Sequence, residues 1–209
     1  MADLQAMAEN LISGKADVVQ KLVQDAVNEG IAPDKILSEG LIIGMNEVGR
    51  RFKANEFYVP EVLIAARAMD WGMKILEPKL AESGVQPLAK VGIGTVKGDL
   101  HDIGKNLVVM MLKGAGFEVV DLGIDVPPEK YVEAAKDGCV LLGLSALLTT
   151  TMPQMKTVID ALKEAGADSK VMIGGAPVTQ SYCDEISADG YAADAASAVD
   201  VAKQLLNVA

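Results

Sequence analysis

The sequence predicts an α/β protein in two parts, a bundle of four helices followed by a doubly wound, parallel, five-stranded sheet. Two observations carry this expectation. The apolar period changes from helical to strand-like near residue 83, and beyond it short apolar runs alternate five times with helical segments. Runs such as Val140-Leu141-Leu142-Gly143-Leu144 are almost continuously apolar, as strands of a parallel sheet covered on both faces must be.

Within the first part, residues 4–12 and 16–28 carry apolar positions at spacings of three and four, including Val19, Leu22, Val23, Ala26 and Val27. A break at Glu29-Gly30 precedes Pro33, which suits a first helical turn, and the pattern then continues to about Phe52. KANEFY reads as a loop. Pro60 opens a fourth helix whose apolar face includes Val62, Leu63, Ala66, Met69, Met73 and Leu76. Short connections between helices of this length predict an antiparallel bundle over residues 1–82. SGVQPLA, residues 83–89, contains Gly84 and Pro87 and reads as a linker.

Residues 90–209 form the second part. KVGIGTV precedes a helix over 104–115, FEVVDLG one over 128–137, CVLLGLS one over 152–165, KVMIGG one over 179–187, and GYAA one over 194–206. The size fits a flavodoxin-like, Rossmann-like unit with strand order 2-1-3-4-5. That order sets the ends of strands 1, 3 and 4 side by side, where open parallel sheets bind ligands.

An excess of 29 acidic over 19 basic residues gives a net charge of −10, which repels nucleic acid and anionic membrane surfaces. Cys139 and Cys183 lack metal or redox spacing, and neither an export signal nor a membrane span is legible. A cytoplasmic protein with small-molecule and protein partners is expected.

Three loops collect the residues with chemistry. The first, KGDLHDIG, holds the chain's single histidine, His101, between Asp99 and Asp102. The second, SALLTTTMP, supplies hydroxyls from Ser145, Thr149, Thr150 and Thr151; the third offers bare backbone at Gly174 and Gly175. A bulky ligand lying along this edge accounts for all three. Plainer readings exist for each: a solvated histidine, Thr151 as a helix N-cap, Gly174-Gly175 as a tight turn, and methionines of the fourth helix as core. The glycines of GIGTVKG have the wrong spacing for a dinucleotide fingerprint, and one histidine leaves a zinc or iron site short of ligands.

Taken together, Asp99-x-His101-x-x-Gly104, Ser145-x-Leu147 and Gly174-Gly175 resemble the cobalamin-binding signature DxHxxG, SxL and GG. The helical part, with FYVPEVLIAARAM at residues 57–69, is similar to the cap of methyltransferase-associated corrinoid proteins and of the cobalamin module of methionine synthase. The resemblance implies a corrinoid methyl carrier of the methylamine, methanol, betaine or methoxyarene systems, itself no enzyme but the cofactor-carrying subunit. A substrate-specific methyltransferase would load it. A second methyltransferase, serving tetrahydrofolate or a thiol acceptor, would unload it, and a reductive activase would maintain it.

The same resemblance assigns roles. His101 would displace the cofactor's benzimidazole base and ligate cobalt, with Asp99 holding its other ring nitrogen and Thr151 completing a hydroxyl relay. Asp102, Ile103, Gly104 and Thr149 would contact the cofactor. Ser145, Leu147, Gly174 and Gly175 would line a slot for the nucleotide tail, while Phe57, Tyr58 and Met69 would cover the methyl group. Competing readings are the cobalamin subunit of a radical mutase, which usually lacks such a cap, and a receiver-like signalling domain, which needs an aspartate where Ser145 stands. A cobalamin-dependent gene regulator is disfavoured by the chain's acidity.

Overall fold

A computed structural model describes residues 3–208. They fall into two compact units. One runs to Pro87 and includes Gly114–Gly116; the other takes Leu88–Lys113 and the chain from Phe117 onward.

The first unit is helical. Its elements are α1 (Leu4–Ile12), α2 (Ala16–Asn28), α3 (Pro33–Lys35), a π-helical stretch (Ile36–Ile42), α4 (Ile43–Lys53) and α5 (Val59–Ser83). Asp3 caps α1 by accepting from the Ala6 N–H at 2.9 Å. Met7, Leu11, Val19, Val23, Leu41, Val48, Val62 and Leu76 are fully or almost fully buried and make its core. From α3 to α4 the helix is continuous, as the apolar period indicates, but it is wound wider over Ile36–Ile42, which period alone does not disclose. Gly40 and Gly44 fall in and just after this stretch. A side chain at Gly40 would come within 2.6 Å of Met7 Sδ, so the bare backbone is what lets α1 lie close. Helix α5 begins at Val59, one residue before Pro60, runs through Pro78, and stops where Gly84 turns left-handed at φ 73°.

The second unit alternates β1 (Lys90–Val96), α6 (Ile103–Gly114), β2 (Glu118–Val126), α7 (Pro128–Lys136), β3 (Leu141–Ser145), α8 (Pro153–Glu164), β4 (Lys170–Gly174), α9 (Gln180–Ile186), β5 (Gly190–Ala192) and α10 (Ala195–Leu206). All strand pairs are parallel, and the order is β2-β1-β3-β4-β5, as the sequence predicts. β1 and β3 are buried over nearly their full length. Strand β2 is longer than expected because it bulges: its register against β1 shifts twice beyond Ile93. The thiols of Cys139 and Cys183 are buried, and burial pushes both up from their ordinary value.

Registry places the site. Thr95 stands opposite Ser145, and Ser145 opposite Gly174, so the ends of β1, β3 and β4 form one row.

Candidate cobalamin site

The first loop leaves β1 in a tight turn. Asp99 N–H donates to Val96 C=O at 3.1 Å, and Gly98 takes φ 80°, the left-handed third position that a type II turn demands of glycine. Thr95, fully buried at the end of an otherwise apolar strand, then fastens the loop by donating its hydroxyl to His101 C=O at 2.8 Å.

Asp99 is the organising group. Its side chain has no exposed surface, yet it carries a charge, and five donors compensate for the lost water. Oδ1 accepts from His101 N–H at 3.1 Å and faces His101 Nδ1 at 2.8 Å. Oδ2 accepts from Leu147 N–H at 2.8 Å, Leu148 N–H at 3.3 Å and the Thr151 hydroxyl at 2.6 Å. Burial alone would raise the carboxyl; the bonds from Thr151, Leu147 and His101 outweigh it and hold Asp99 well below the usual carboxylate range.

The His101 tautomer follows. An ionised carboxylate only accepts, so the proton of the Asp99–His101 bond sits on Nδ1, and in the neutral ring Nε2 keeps a bare lone pair. The ring is half-exposed. Thr151 is not the N-cap of α8, whose cap position is Met152; its hydroxyl lies 2.6 Å from Asp99 Oδ2 and 2.9 Å from Leu148 C=O, and its one proton goes to the carboxylate, the stronger acceptor.

Around His101 the surface is apolar. Leu100 is 66% exposed and Ile103 78%, and Leu147 and Leu148, whose N–H groups bind Asp99, are each 42% exposed. Such side chains together in water mark a ligand surface. Gly104, in the first turn of α6, would meet nothing within 4 Å if it carried a Cβ. No contact within the chain requires glycine there, although glycine weakens a helix, so the bare position favours something close from outside. Asp102 faces solvent, its carboxylate bound by Asn106 Nδ2 at 3.2 Å. Below this surface, Lys105 is buried and bound to Asp121, which also accepts from Gly123 N–H, tying α6 to β2.

The other expected residues divide. Ser145 is half-buried at the end of β3, and Thr149 and Thr150 are exposed beside it. Gly175 has a reason inside the chain: its φ is 130°, and a Cβ would lie 1.9 Å from Ala146 C=O. Gly174 is also tight, at 3.0 Å from Ala192 C=O. In the helical unit Met69 is buried, as the core reading holds. Phe57 is half-buried with the Arg51 guanidinium 5.1 Å over its ring, and Tyr58 is exposed. Sequence reasoning missed Thr95, Leu100 and Leu148. A lone polar residue closing an apolar strand was the available signal for Thr95; the others depend on backbone geometry.

His101 offers one nitrogen on an apolar surface, which suits a metal that arrives already held by a large, flat ring. Comparison with known proteins agrees. Residues 89–200 match the family described as B12 binding domain, and residues 3–77 match a second family of that description. Dimethylamine corrinoid protein 3 of Methanosarcina acetivorans is 45% identical, covering 99% of this chain and all of that one. The trimethylamine corrinoid protein of Methanosarcina barkeri is 43% identical over 92% of this chain and 91% of its own. Among solved structures, the methanol:cobalamin methyltransferase complex MtaBC of Methanosarcina barkeri matches with TM-score 0.86 at 32% identity, covering 96% of this chain and 78% of that chain. A cobalamin-binding protein of Desulfitobacterium hafniense matches with TM-score 0.80 at 33% identity over 98% of each chain. The chain belongs to the B12-binding domain family, and its cofactor is cobalamin.

Proposed function

We propose that the chain is a corrinoid methyl carrier, loaded by a substrate-specific methyltransferase and unloaded by a second one that serves tetrahydrofolate or a thiol acceptor. The observation that carries this reading is His101: a half-exposed imidazole with a bare Nε2, ringed by exposed leucine and isoleucine and tied through Nδ1 to a buried, saturated carboxylate. The names of the relatives support methyltransferases as partners. Identity is 45% to a dimethylamine corrinoid protein over the full length, against 32% to the methanol complex, so methylated amines are the first donors to test. A reductive activase completes the set, and the chain works in the cytoplasm as a carrier, not as an enzyme by itself. Among the described residues no helix is long and apolar enough to cross a membrane.

When bound, the cofactor supplies a cobalt centre that is strongly nucleophilic when reduced and that carries the methyl group. The chain's own residues do the rest. His101 Nε2 would ligate the cobalt. Asp99, kept ionised by its donors, leaves the shared proton on Nδ1, so the imidazole presents its Nε2 lone pair. Leu100, Ile103, Leu147 and Leu148 would keep water from the ligated side. Asp102, Gly104 and Thr149 would meet the edge of the ring, and Ser145, Gly174 and Gly175 the nucleotide tail. We assign residues 1–82 as the cap, with Phe57 and Tyr58 as its shielding side chains and Met69, expected among them, in its core instead, 83–89 as the linker, and 90–209 as the cofactor domain.

The test is anaerobic reconstitution with hydroxocobalamin, followed by electron paramagnetic resonance of the cobalt(II) form carrying nitrogen-15 histidine. Imidazole splitting is expected. Splitting from benzimidazole nitrogen alone would overturn the ligand assignment, and failure of methyl transfer with every cognate methyltransferase and methylated amine offered would overturn the amine donor.

A further inference from the structure

We propose that Asp125 is a positioning residue for the Asp99–His101 pair, gripping the loop between β1 and α6 by its backbone. The proposal rests on the reading of His101 as the cobalt ligand, and it concerns a residue that acts through the loop carrying that ligand.

The argument begins with the bulges of β2. Pairing is regular from Lys90 with Glu118 to Ile93 with Asp121, then moves to Gly94 with Gly123 and Val96 with Val126. Each shift adds a residue to β2 that β1 does not match. The surplus is absorbed in two left-handed residues, Gly123 at φ 91° and Asp125 at φ 50°. Glycine enters that region freely, whereas aspartate enters it at a cost and is still among the residues that tolerate it best. A non-glycine held there at the rim of a site points to a role for its side chain.

That role is visible in two hydrogen bonds. Asp125 N–H donates to Asp99 C=O at 3.0 Å, and Asp125 Oδ1 accepts from Gly98 N–H at 2.6 Å. The two bonds bracket Gly98 and Asp99, the residues from which the carboxylate of Asp99 projects. Thr95 fixes the loop at His101 C=O, beyond the carboxylate, and Asp125 fixes it before. With both ends held, the backbone that carries the Asp99 and His101 side chains cannot shift without breaking one of these hydrogen bonds.

Nitrogen-15 histidine in the apoprotein gives a direct readout, since His101 is the only histidine in the chain. Asp125→Asn retains an acceptor for Gly98 and tolerates the left-handed backbone, so ring nitrogen shifts and Nδ1–H exchange should match the wild type. Asp125→Gly keeps the backbone and loses the acceptor; Nδ1–H exchange should rise about tenfold, the effect of losing one ordinary hydrogen bond, and the ring shifts should move toward a mixture of tautomers. Should the glycine variant not fold by circular dichroism, Asp125→Ser, too short to reach Gly98, is read the same way. Unchanged His101 signals in the acceptor-less variant, or an asparagine variant that behaves like it, would overturn the proposal. Hydroxocobalamin titration of the wild type runs in parallel. Wild type that binds without imidazole splitting refutes the ligand reading, whereas normal binding alongside an indifferent Asp125→Gly refutes only the role of Asp125.

Discussion

Replacing Thr151 with valine removes one hydroxyl and nearly nothing else, which makes it the sharpest probe of how the buried charge at Asp99 is sustained. The Thr151 hydroxyl lies 2.6 Å from Asp99 Oδ2, the shortest of the five donors on that carboxylate. A hydrogen bond to a charged group contributes about 1.5–3 kcal/mol, and valine fills the same space, so no cavity adds to the cost. Thr151→Val should therefore destabilise the apoprotein by about 2 kcal/mol. In a chain of this size that lowers the melting temperature by roughly 4–8 °C.

The pH dependence has a definite sign. Asp99 is held below its ordinary value of 3.8, so its contribution to stability is complete above that value and is lost as pH falls through the lower folded one. Thr151→Val lets the folded value rise toward the ordinary one. The difference between variant and wild type should hold constant from about pH 5 upward and narrow only in stronger acid, where the variant's carboxylate is protonated first. Far-UV circular dichroism is the assay, because the single tryptophan, Trp71, lies in the helical unit and reports the wrong half. A melting temperature unchanged to within about 1 °C at pH 7 would refute the reasoning, since the hydroxyl would then contribute no more than the water it displaces.

Two further substitutions separate glycines kept for the fold from one kept for the ligand. Gly104→Ala should raise the apoprotein's stability by up to about 1 kcal/mol, since the new methyl meets nothing, and should weaken hydroxocobalamin binding about tenfold; Gly175→Ala should destabilise the apoprotein outright, because its Cβ would strike Ala146 C=O. Equal effects of the two on melting temperature would sink this distinction. Tyr131→Phe should leave stability unchanged or raise it by about 1 kcal/mol, because the Tyr131 hydroxyl is fully buried without a partner among the described residues and burial pushes it far above its ordinary range. A melting temperature lowered by several degrees would mean that the hydroxyl has a hydrogen-bonding partner after all.

The parts legible in the sequence are those that obey a period or a fixed spacing. Strand β1 and the alternation after it follow from apolar runs, and the size of the unit fits the order 2-1-3-4-5, which sets the ends of β1, β3 and β4 side by side; that Thr95 stands in this row with Ser145 and Gly174 came only from the register. The spacing from Asp99 through Gly104 likewise disclosed the histidine and its carboxylate. What stayed hidden depends on backbone torsions that neighbouring residues set jointly. The wide turns at Ile36–Ile42 fall where α1 lies close over Gly40, and the bulged end of β2 is where Asp125 meets the turn at Gly98.

Thr151 shows the same limit at a single residue. A threonine before a proline-led helix is a sound N-cap by local rules, yet the cap position falls to Met152 and the Thr151 hydroxyl donates to a carboxylate from a loop 52 positions away. Local preference yields wherever a buried charge would otherwise lack a donor, and the same rule explains why Leu147 and Leu148 turn their N–H groups inward and leave their side chains in water. The exposure of Leu147 and Leu148 beside His101 thus follows from satisfying Asp99. One buried carboxylate sets the histidine tautomer, fixes two loops against each other and leaves two leucines of the ligand surface in water.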